Sequence, residues 1–289
     1  MTGELRGQSA FVTGAGRGIG RVVASALAAA GADLILAARS AIELEETRRE
    51  VNALGRQALA VTADVARREE VVSAVSQGLR QFGKLDVLVN CAGRQAPIGV
   101  LWKNDPEEWA RNIQVNLVGT FHCIHAVLPN MLERGRGKII NFSGGGASGP
   151  RPNFSSYAAS KAAVVRLTET LAEELRPWNI QVNAVAPGAV NTRMLEEILA
   201  AGNVAGPELA AAQKRKAQGG APAGLAAELV VFLASNASGG LTGKLISAPN
   251  DDWRSWKADD LARLADSPWY TLRRMDEHTL RPFLGGGNK

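Results

Sequence analysis

The sequence has little cysteine: Cys91 and Cys123 are the only two among 289 residues. Two cysteines are too few for the disulfide framework of a small secreted protein. Both lie in stretches that we interpret as interior, so we expect free, buried thiols. His122 and His125 lie beside Cys123, but no Asp, Glu or further Cys cluster accompanies them, as a metal site would require. We therefore expect these histidines to pack or hydrogen-bond between helices, and we predict no metal.

The sequence also lacks a large excess of one charge and a long apolar run. The formal charge is +5, with no long basic stretch, which argues against nucleic acid as a partner. A slight basic excess suits an anionic cofactor better. No apolar run approaches the ~20 residues that span a bilayer, and residues 1–9 are polar. We therefore expect a cytoplasmic protein with no membrane segment.

Strand and helix patterns alternate along the chain without an internal repeat. The predicted strands are residues 9–13, 33–38, 58–63, 85–89, 138–142, 180–185 and 243–247. This alternation predicts an α/β fold with one doubly wound parallel sheet of the Rossmann type and helices on both faces. We expect a single domain over residues 1–248, with a mobile helical lid at 193–218, followed by a C-terminal extension at 249–289.

A glycine-rich turn separates the first strand from a helix. Residues 14–20 read Gly-Ala-Gly-Arg-Gly-Ile-Gly, and an apolar helical stripe begins at Ile19. Glycine is needed where the backbone turns tightly and approaches a pyrophosphate, whose charge is met by free N–H groups at the helix start. At this register the motif predicts a dinucleotide site. Its predicted contacts are Gly14, Gly16, Arg17, Gly18, Ile19 and Gly20.

The end of the second strand indicates which dinucleotide binds. A carboxylate there favours a free ribose 2′-hydroxyl, and an arginine favours a 2′-phosphate. This chain has Ala38 and then Arg39, with Arg17 in the glycine loop directed to the same region. Two guanidiniums and no acid predict NADP(H) over NAD(H). The alternative is that both arginines are solvated surface residues.

Tyr157 and Lys161 are four residues apart on a predicted helix, so their side chains share one face. A phenol titrates near 10, and holding its anion at neutral pH needs about 3 kcal/mol or more, which an adjacent cation can partly supply. Such a pair can exchange a proton with a carbonyl or alcohol oxygen. The spacing alone is weak evidence, because any solvated helix face can carry it. Asn116, in an apolar helix, either ties the helix backbone to water or satisfies a local carbonyl.

Several motifs occur in an order that suggests one family. They are Thr13-Gly-(x)3-Gly-x-Gly20, Asp64, Asn90-Cys-Ala-Gly93, Asn116, Tyr157-x-x-x-Lys161 and Pro187-Gly188. Together they resemble the short-chain dehydrogenase/reductase family over roughly residues 5–248. The resemblance implies a nicotinamide cofactor, hydride transfer between a carbonyl and an alcohol, and a homodimer or homotetramer.

The resemblance also implies roles for individual residues. Tyr157 would be the general acid or base, Lys161 would lower its pKa and bind the nicotinamide ribose, and Asn116 would position a water. Further cofactor contacts would come from the carboxyl ends of the other strands, with Asp64 near the adenine amino group and Val190 and Thr192 near the carboxamide. The remaining predicted contacts at these ends are Val65, Asn90, Ala92, Gly93, Pro187 and Gly188.

Two features depart from the family pattern. The family serine that bonds the substrate oxygen aligns with Gly144, whereas this chain has Ser143 one residue earlier. Either Ser143 takes that role, which we favour, or Ser148 does, or the substrate supplies its own polarisation; losing such a donor costs ~3 kcal/mol. The second departure is the extension at 249–289, whose aromatic residues predict packing on the body or on a neighbouring subunit. A less favoured interpretation is that it covers a substrate pocket.

The leading functional hypothesis is an NADP(H)-dependent oxidoreductase that acts on a ketone or secondary alcohol. One alternative is an epimerase or dehydratase that uses the cofactor transiently. The displaced serine is the reason to keep this alternative. Another is a nucleotide-binding scaffold without turnover, against which the retained Tyr157 and Lys161 argue. A basic patch at residues 214–216 predicts a solvated helix end or, as a minority interpretation, a contact with an anionic substrate.

Overall fold

Seven strands form one parallel sheet in the computed structural model, which describes residues 3–276. The strand order is β3-β2-β1-β4-β5-β6-β7. The strands are β1 (Ser9–Thr13), β2 (Asp33–Ala38), β3 (Ala58–Thr62), β4 (Val87–Asn90), β5 (Gly137–Phe142), β6 (Ile180–Ala186) and β7 (Leu245–Ser247). This confirms the predicted doubly wound α/β fold.

Helices connect these strands and cover both faces of the sheet. They are α1 (Gly18–Ala29), α2 (Ala41–Ala53), α3 (Arg68–Phe82), α4 (Pro106–Ile113), α5 (Gly119–Arg134), α6 (Ser155–Leu175), α7 (Arg193–Ala201), α8 (Glu208–Gln218), α9 (Ala223–Ala234) and α10 (Ala258–Ala265). Local signals set their ends: Ser40 caps α2 by accepting the Glu43 N–H, and Gly83 ends α3 with φ of 73°.

Alternation of side chains along the strands builds two separate cores. On β5, Ile140 and Phe142 pack with α1 and α9 on one face, while Ile139 packs with α3 and α5 on the other. Because both faces are covered, strands β1, β2 and β4 are apolar almost throughout, as parallel strands usually are.

The strand order reverses between β1 and β4, which pair directly with Thr13 opposite Asn90. Chain segments leaving these two strands diverge to opposite faces, which opens a crevice at the carboxyl edge of the sheet. Ligands of doubly wound proteins bind at such a point. The fold therefore brings the predicted motifs to one edge.

The described part of the C-terminal extension, residues 249–276, packs on the body of its own chain. Trp253 is buried against Phe232, with ring centroids 5.6 Å apart. The Leu245 N–H donates to the Tyr270 carbonyl at 2.7 Å. Residues 277–289, which include the final glycines, lie outside the described residues.

The length and the composition of a helix decide whether it could cross a membrane. Between residues 3 and 276, no single helix is long and apolar enough to span a bilayer; α8 and α9 meet the criterion only as a pair bent by 95°.

Candidate active site

Thr13 joins the carboxyl ends of β1 and β4. Its hydroxyl oxygen accepts the N–H groups of Cys91 and Ala92, each at 3.2 Å. Beside it, a Cβ on Gly14 would lie 2.9 Å from the Ala92 backbone, so only glycine allows the two loops to approach this closely. Two of the predicted cofactor loops are thus in direct contact.

The glycine loop presents the start of α1 to the crevice. A Cβ on Gly20 would lie 2.2 Å from the Gly14 carbonyl oxygen, which fixes the tight turn. No side chain caps the helix N-terminus at Arg17, and its first turn has no acidic residue. Free N–H groups at an uncapped helix start suit a pyrophosphate. On the opposite strand end, the buried Asn90 Oδ1 has no hydrogen-bond partner among residues 3–276, so this edge retains an acceptor for a ligand.

The region of the adenosine ribose contains an acid that the sequence interpretation missed. Arg39 is exposed at the end of β2, as predicted. Arg17, however, forms an ion pair with Glu43 at 3.1 Å, and the Glu43 side chain lies against Gly16. The expectation that no acid lies here is wrong, because the Ser40 cap turns the first residues of α2 back toward the glycine loop.

Asn116 lies in a π-helical turn, Gln114–Val118, between α4 and α5. Its amide pairs with the backbone of Arg94 in both directions, accepting the N–H at 2.9 Å and contacting the carbonyl at 2.8 Å. Asn112 holds the same loop by donating to the carbonyls of Arg94 and Ala96. Asn116 therefore satisfies local backbone groups, which is one of the two predicted alternatives, and its contact with a water stays a prediction.

Tyr157 and Lys161 lie on one face of α6 near its start, and both are buried. The Lys161 ammonium donates to the Phe142 carbonyl at 2.8 Å and lies 5.8 Å from the centroid of the Tyr157 ring. Gly93, in the loop after β4, lies close to both Lys161 and Asn116. A Cβ atom added to this glycine would lie 3.6 Å from the Lys161 nitrogen and 3.2 Å from Asn116 Oδ1. The fold therefore brings Tyr157, Lys161, Asn116 and the loop after β4 together.

Burial sets the protonation of this pair. It raises the pKa of Tyr157 above the usual value of 10.0, while the Arg151 guanidinium acts in the opposite direction from 5.3 Å above the ring. Burial lowers the pKa of Lys161 to about 8. At neutral pH the site therefore contains a neutral phenol and an ammonium ion.

Tyr157 lies so close to the loop after β5 that position 144 has room only for a glycine. A Cβ there would lie 2.3 Å from the Tyr157 hydroxyl oxygen, so the phenol occupies the space that a longer side chain would need. Ser143 continues the strand, with its N–H donating to the Val185 carbonyl at 2.8 Å. The Ser143 hydroxyl is buried and has no hydrogen-bond partner in the described chain, whereas Ser148 is exposed.

The segment from α7 to α8 covers the Tyr157 side of the crevice, in the place predicted for a lid. Leu195, Ile198 and Ala212 form a buried apolar cluster with Phe154 and Tyr157. Gln95, buried in the loop after β4, donates to the Met194 carbonyl and so connects that loop to the lid.

The remaining predicted contacts also lie at the carboxyl edge. Asp64 follows β3, and its Oδ1 accepts the Ala66 N–H at 3.0 Å. Gly188 follows β6 with φ of 80°. Thr192 precedes α7, with its methyl group 3.7 Å from the position of a Cβ on Gly18, so the loop after β6 closes over the glycine loop. The other contacts predicted in these loops are Val65, Pro187 and Val190.

The two histidines and the cysteines have ordinary structural environments. His122 Nδ1 lies 3.0 Å from the Val65 carbonyl, and the His125 ring contacts the Phe121 ring in a tilted arrangement with centroids 5.6 Å apart. Cys123 is buried and Cys91 is half-buried, and both are free. Within residues 3–276 no group of three or more His, Cys, Asp or Glu side chains could hold a metal ion.

Comparisons with known proteins point to one family. A family model described as short chain dehydrogenase matches residues 8–202. The short-chain reductase protein NovJ of Streptomyces niveus is 40% identical over 240 residues, which cover 82% of this chain and 90% of that protein. A 3-oxoacyl-(acyl-carrier-protein) reductase of Synechocystis is 40% identical over 195 residues, covering 67% and 78%.

Solved structures show the same likeness. Carveol dehydrogenase from Mycobacterium avium in complex with NAD has a TM-score of 0.77 and 32% identity, covering 85% of this chain and 97% of that one. NAD+-bound xylitol dehydrogenase has a TM-score of 0.78 and 30% identity, covering 84% and 98%.

A Rossmann-type sheet with a glycine loop and a buried tyrosine at its switch point defines an oxidoreductase that uses a nicotinamide nucleotide. The matched family model and the relatives give the narrower class. The chain belongs to the short-chain dehydrogenase/reductase family, whose members act on CH–OH groups with NAD(P)+ as acceptor.

Proposed function

We propose that the protein is an NADP(H)-dependent reductase of a ketone, with Tyr157 as the general acid that protonates the carbonyl oxygen. The observation that carries this proposal is the position of the buried Tyr157 side chain, which lies at the carboxyl edge of the sheet beside Lys161 and the cofactor loops and packs against the lid. A protonated phenol can donate to a carbonyl oxygen, which is the proton transfer that reduction of a ketone needs. When bound, the reduced nicotinamide supplies the hydride.

The chain's own residues position and charge this site. Lys161 keeps a positive charge within the buried pocket and, with the Phe142 carbonyl fixing it, can reach a ribose hydroxyl. Ser143 is the favoured donor to the substrate oxygen, since its buried hydroxyl lacks a partner among the described residues. Asn116 positions the loop after β4, and a water bound there can relay a proton from Lys161.

Arg17 and Arg39 support NADP(H), and Glu43 is the residue that tests this choice. If a 2′-phosphate binds, Glu43 orients Arg17 and partly neutralises it. If a free 2′-hydroxyl binds, the Glu43 carboxylate accepts its hydrogen bond instead. The two outcomes predict opposite effects of removing the carboxylate.

Parallel titrations of NADPH and NADH, followed by tryptophan fluorescence, distinguish these outcomes. We expect tighter binding of NADPH, at least tenfold weaker NADPH binding in Arg39→Ala, and unchanged or tighter NADPH binding in Glu43→Gln. Lys103→Ala, which removes an exposed lysine between β4 and α4, serves as the charge control. Stronger NADH binding that is lost in Glu43→Gln would reverse the assignment to NAD(H).

Tyr157→Phe tests the catalytic role. We expect NADPH to bind normally and NADPH oxidation with carbonyl substrates to fall by at least 100-fold, since general acid catalysis contributes about 10²- to 10⁴-fold. Tyr270→Phe, at the second tyrosine of the chain, is the matched control and should remain active. Full activity in Tyr157→Phe would reject the mechanism.

The same assay separates the other classes of function. An epimerase or dehydratase forms product without net oxidation of NADPH, and a scaffold binds NADPH without turnover. Cytoplasmic location and assembly as a homodimer or homotetramer stay predictions from composition and from the family resemblance.

A further inference from the structure

Three charged side chains meet where the lid approaches Tyr157. Arg151 donates to Glu208 Oε2 at 2.9 Å, and Arg215 Nη2 lies 3.9 Å from the same oxygen. Arg151 belongs to the loop before α6, while Glu208 and Arg215 lie two turns apart on α8. We refer to these three residues as the lid arginine cluster.

The cluster carries more positive charge than its own carboxylate neutralises. Two guanidiniums share Glu208, which leaves one net positive charge. Arg215 Nε and Nη2 are buried and have no hydrogen-bond partner among residues 3–276. Leaving buried donors of a charged group unpaired is costly, so native proteins rarely retain them without a ligand or water.

The position of the cluster places it in contact with the catalytic side of the crevice. The Arg151 guanidinium lies 4.0 Å from the centroid of the Phe154 ring and 5.3 Å from that of Tyr157. Ala212, on the same face of α8 as Glu208 and Arg215, packs in the apolar cluster with Tyr157. A group held by the cluster would therefore lie beside the Tyr157 ring.

The neighbouring basic residues do not share this arrangement. Lys214 and Lys216 are exposed, and Lys216 pairs with Glu196 at 3.5 Å. Only Arg215 of the basic patch turns inward. The patch is thus a solvated helix end at two positions, and at the third position it is a half-buried arginine whose Nε and Nη2 atoms are buried.

We propose that the lid arginine cluster binds the carboxylate of the substrate, so that the enzyme reduces an oxo acid. This inference rests on the proposed function, because it assigns a substrate class to that same site. A guanidinium matches a carboxylate through parallel N–H groups, and one carboxylate equals the single unbalanced charge. Glu208 holds the two arginines in place for it.

The test is a panel of 2-, 3- and 4-oxo acids of four to eight carbons, each paired with its methyl ester, assayed with NADPH. We expect the best acid to exceed its ester at least tenfold in kcat/KM. Arg215→Gln should lower kcat/KM for that acid by about 10- to 100-fold, mainly through KM, and leave the ester unchanged. Lys214→Gln, which removes the adjacent exposed charge, should change neither.

Other outcomes overturn the proposal. Equal use of acids and esters, an equal loss on both in Arg215→Gln, or the same loss in Lys214→Gln would show that Arg215 has a structural or only a long-range effect. Unfolding midpoints without ligand check that each variant is folded, and Arg215→Lys, which keeps the charge, should retain part of the preference for acids.

Binding separates this proposal from the proposed reductase activity. If the wild type oxidises NADPH with no member of the panel, the acids and esters are compared for thermal stabilisation of the enzyme with NADP+. Stabilisation by acids alone that is lost in Arg215→Gln keeps the carboxylate site and rejects the reductase. The absence of any stabilisation specific to acids rejects the site.

Discussion

The cofactor half and the substrate half of the crevice are built from different kinds of contact. In the cofactor half, glycines let backbone meet backbone, as where Gly20 approaches the Gly14 carbonyl and Gly14 approaches Ala92. In the substrate half, side chains from distant segments meet, as where Arg151 contacts Glu208. Backbone contacts leave a fixed sequence motif, whereas side-chain contacts between segments leave none. The first half is therefore recognisable in the sequence, whereas the second half becomes visible only in the structure.

The largest expected effect tests the backbone contacts. Gly20→Ala places a Cβ 2.2 Å from the Gly14 carbonyl oxygen, so the glycine loop must open. We expect NADPH binding to weaken at least 100-fold, about 2.7 kcal/mol, in a fluorescence titration. Gly224→Ala on α9, whose Cβ meets no atom within 4 Å, is the control and should bind normally. Binding within threefold of wild type would mean that the loop relaxes without consequence.

A smaller effect is expected in the substrate half, at Gly144. Gly144→Ser restores the residue of the family pattern, but its Cβ would lie 2.3 Å from the Tyr157 hydroxyl. We expect kcat to fall by about 10- to 100-fold, which is about 1.4 to 2.7 kcal/mol, and NADPH affinity to stay within threefold.

Gly145→Ser is the matched control, since the nearest atoms to its Cβ are 3.9 Å away. It should retain activity. A rise in kcat for Gly144→Ser would show that the phenol moves aside, and that the substrate half follows the family pattern after all.

The two directions of the reaction should also differ in their pH dependence. The pKa of Tyr157 is raised above 10.0, so reduction, which needs the phenol, should be independent of Tyr157 ionisation between pH 6 and 8. Alcohol oxidation needs the phenolate, whose fraction rises about tenfold per pH unit below the pKa.

Initial rates in both directions check this. We expect kcat/KM for oxidation to rise about 100-fold from pH 6 to 8. We expect kcat/KM for reduction to stay level until Lys161, which has a pKa of about 8, loses its proton. A level oxidation profile from pH 6 to 8 would mean that the phenolate is already formed.

The sheet, the glycine loop and the placement of Tyr157 and Lys161 on one helix face could be predicted from the sequence. Each of these depends on a short local pattern, such as strand alternation or helical spacing. Glu43, Gln95, Asn112 and Arg151 were missed because their partners lie far along the chain or on the backbone. For Glu43 a signal existed, since Ser40 followed three residues later by Glu43 has the pattern of a capping box and places that side chain in the first turn.

The hydrogen bond from Leu245 to Tyr270 has a consequence for solubility. An open sheet ends in a strand with unpaired N–H and C=O groups, which can template pairing with another chain. The extension covers that edge at β7, which is only three residues long. Removing residues 249–289 would therefore expose the unpaired edge of β7 together with the apolar surface under Trp253. We expect the shortened chain to aggregate and not to fold into a smaller active enzyme.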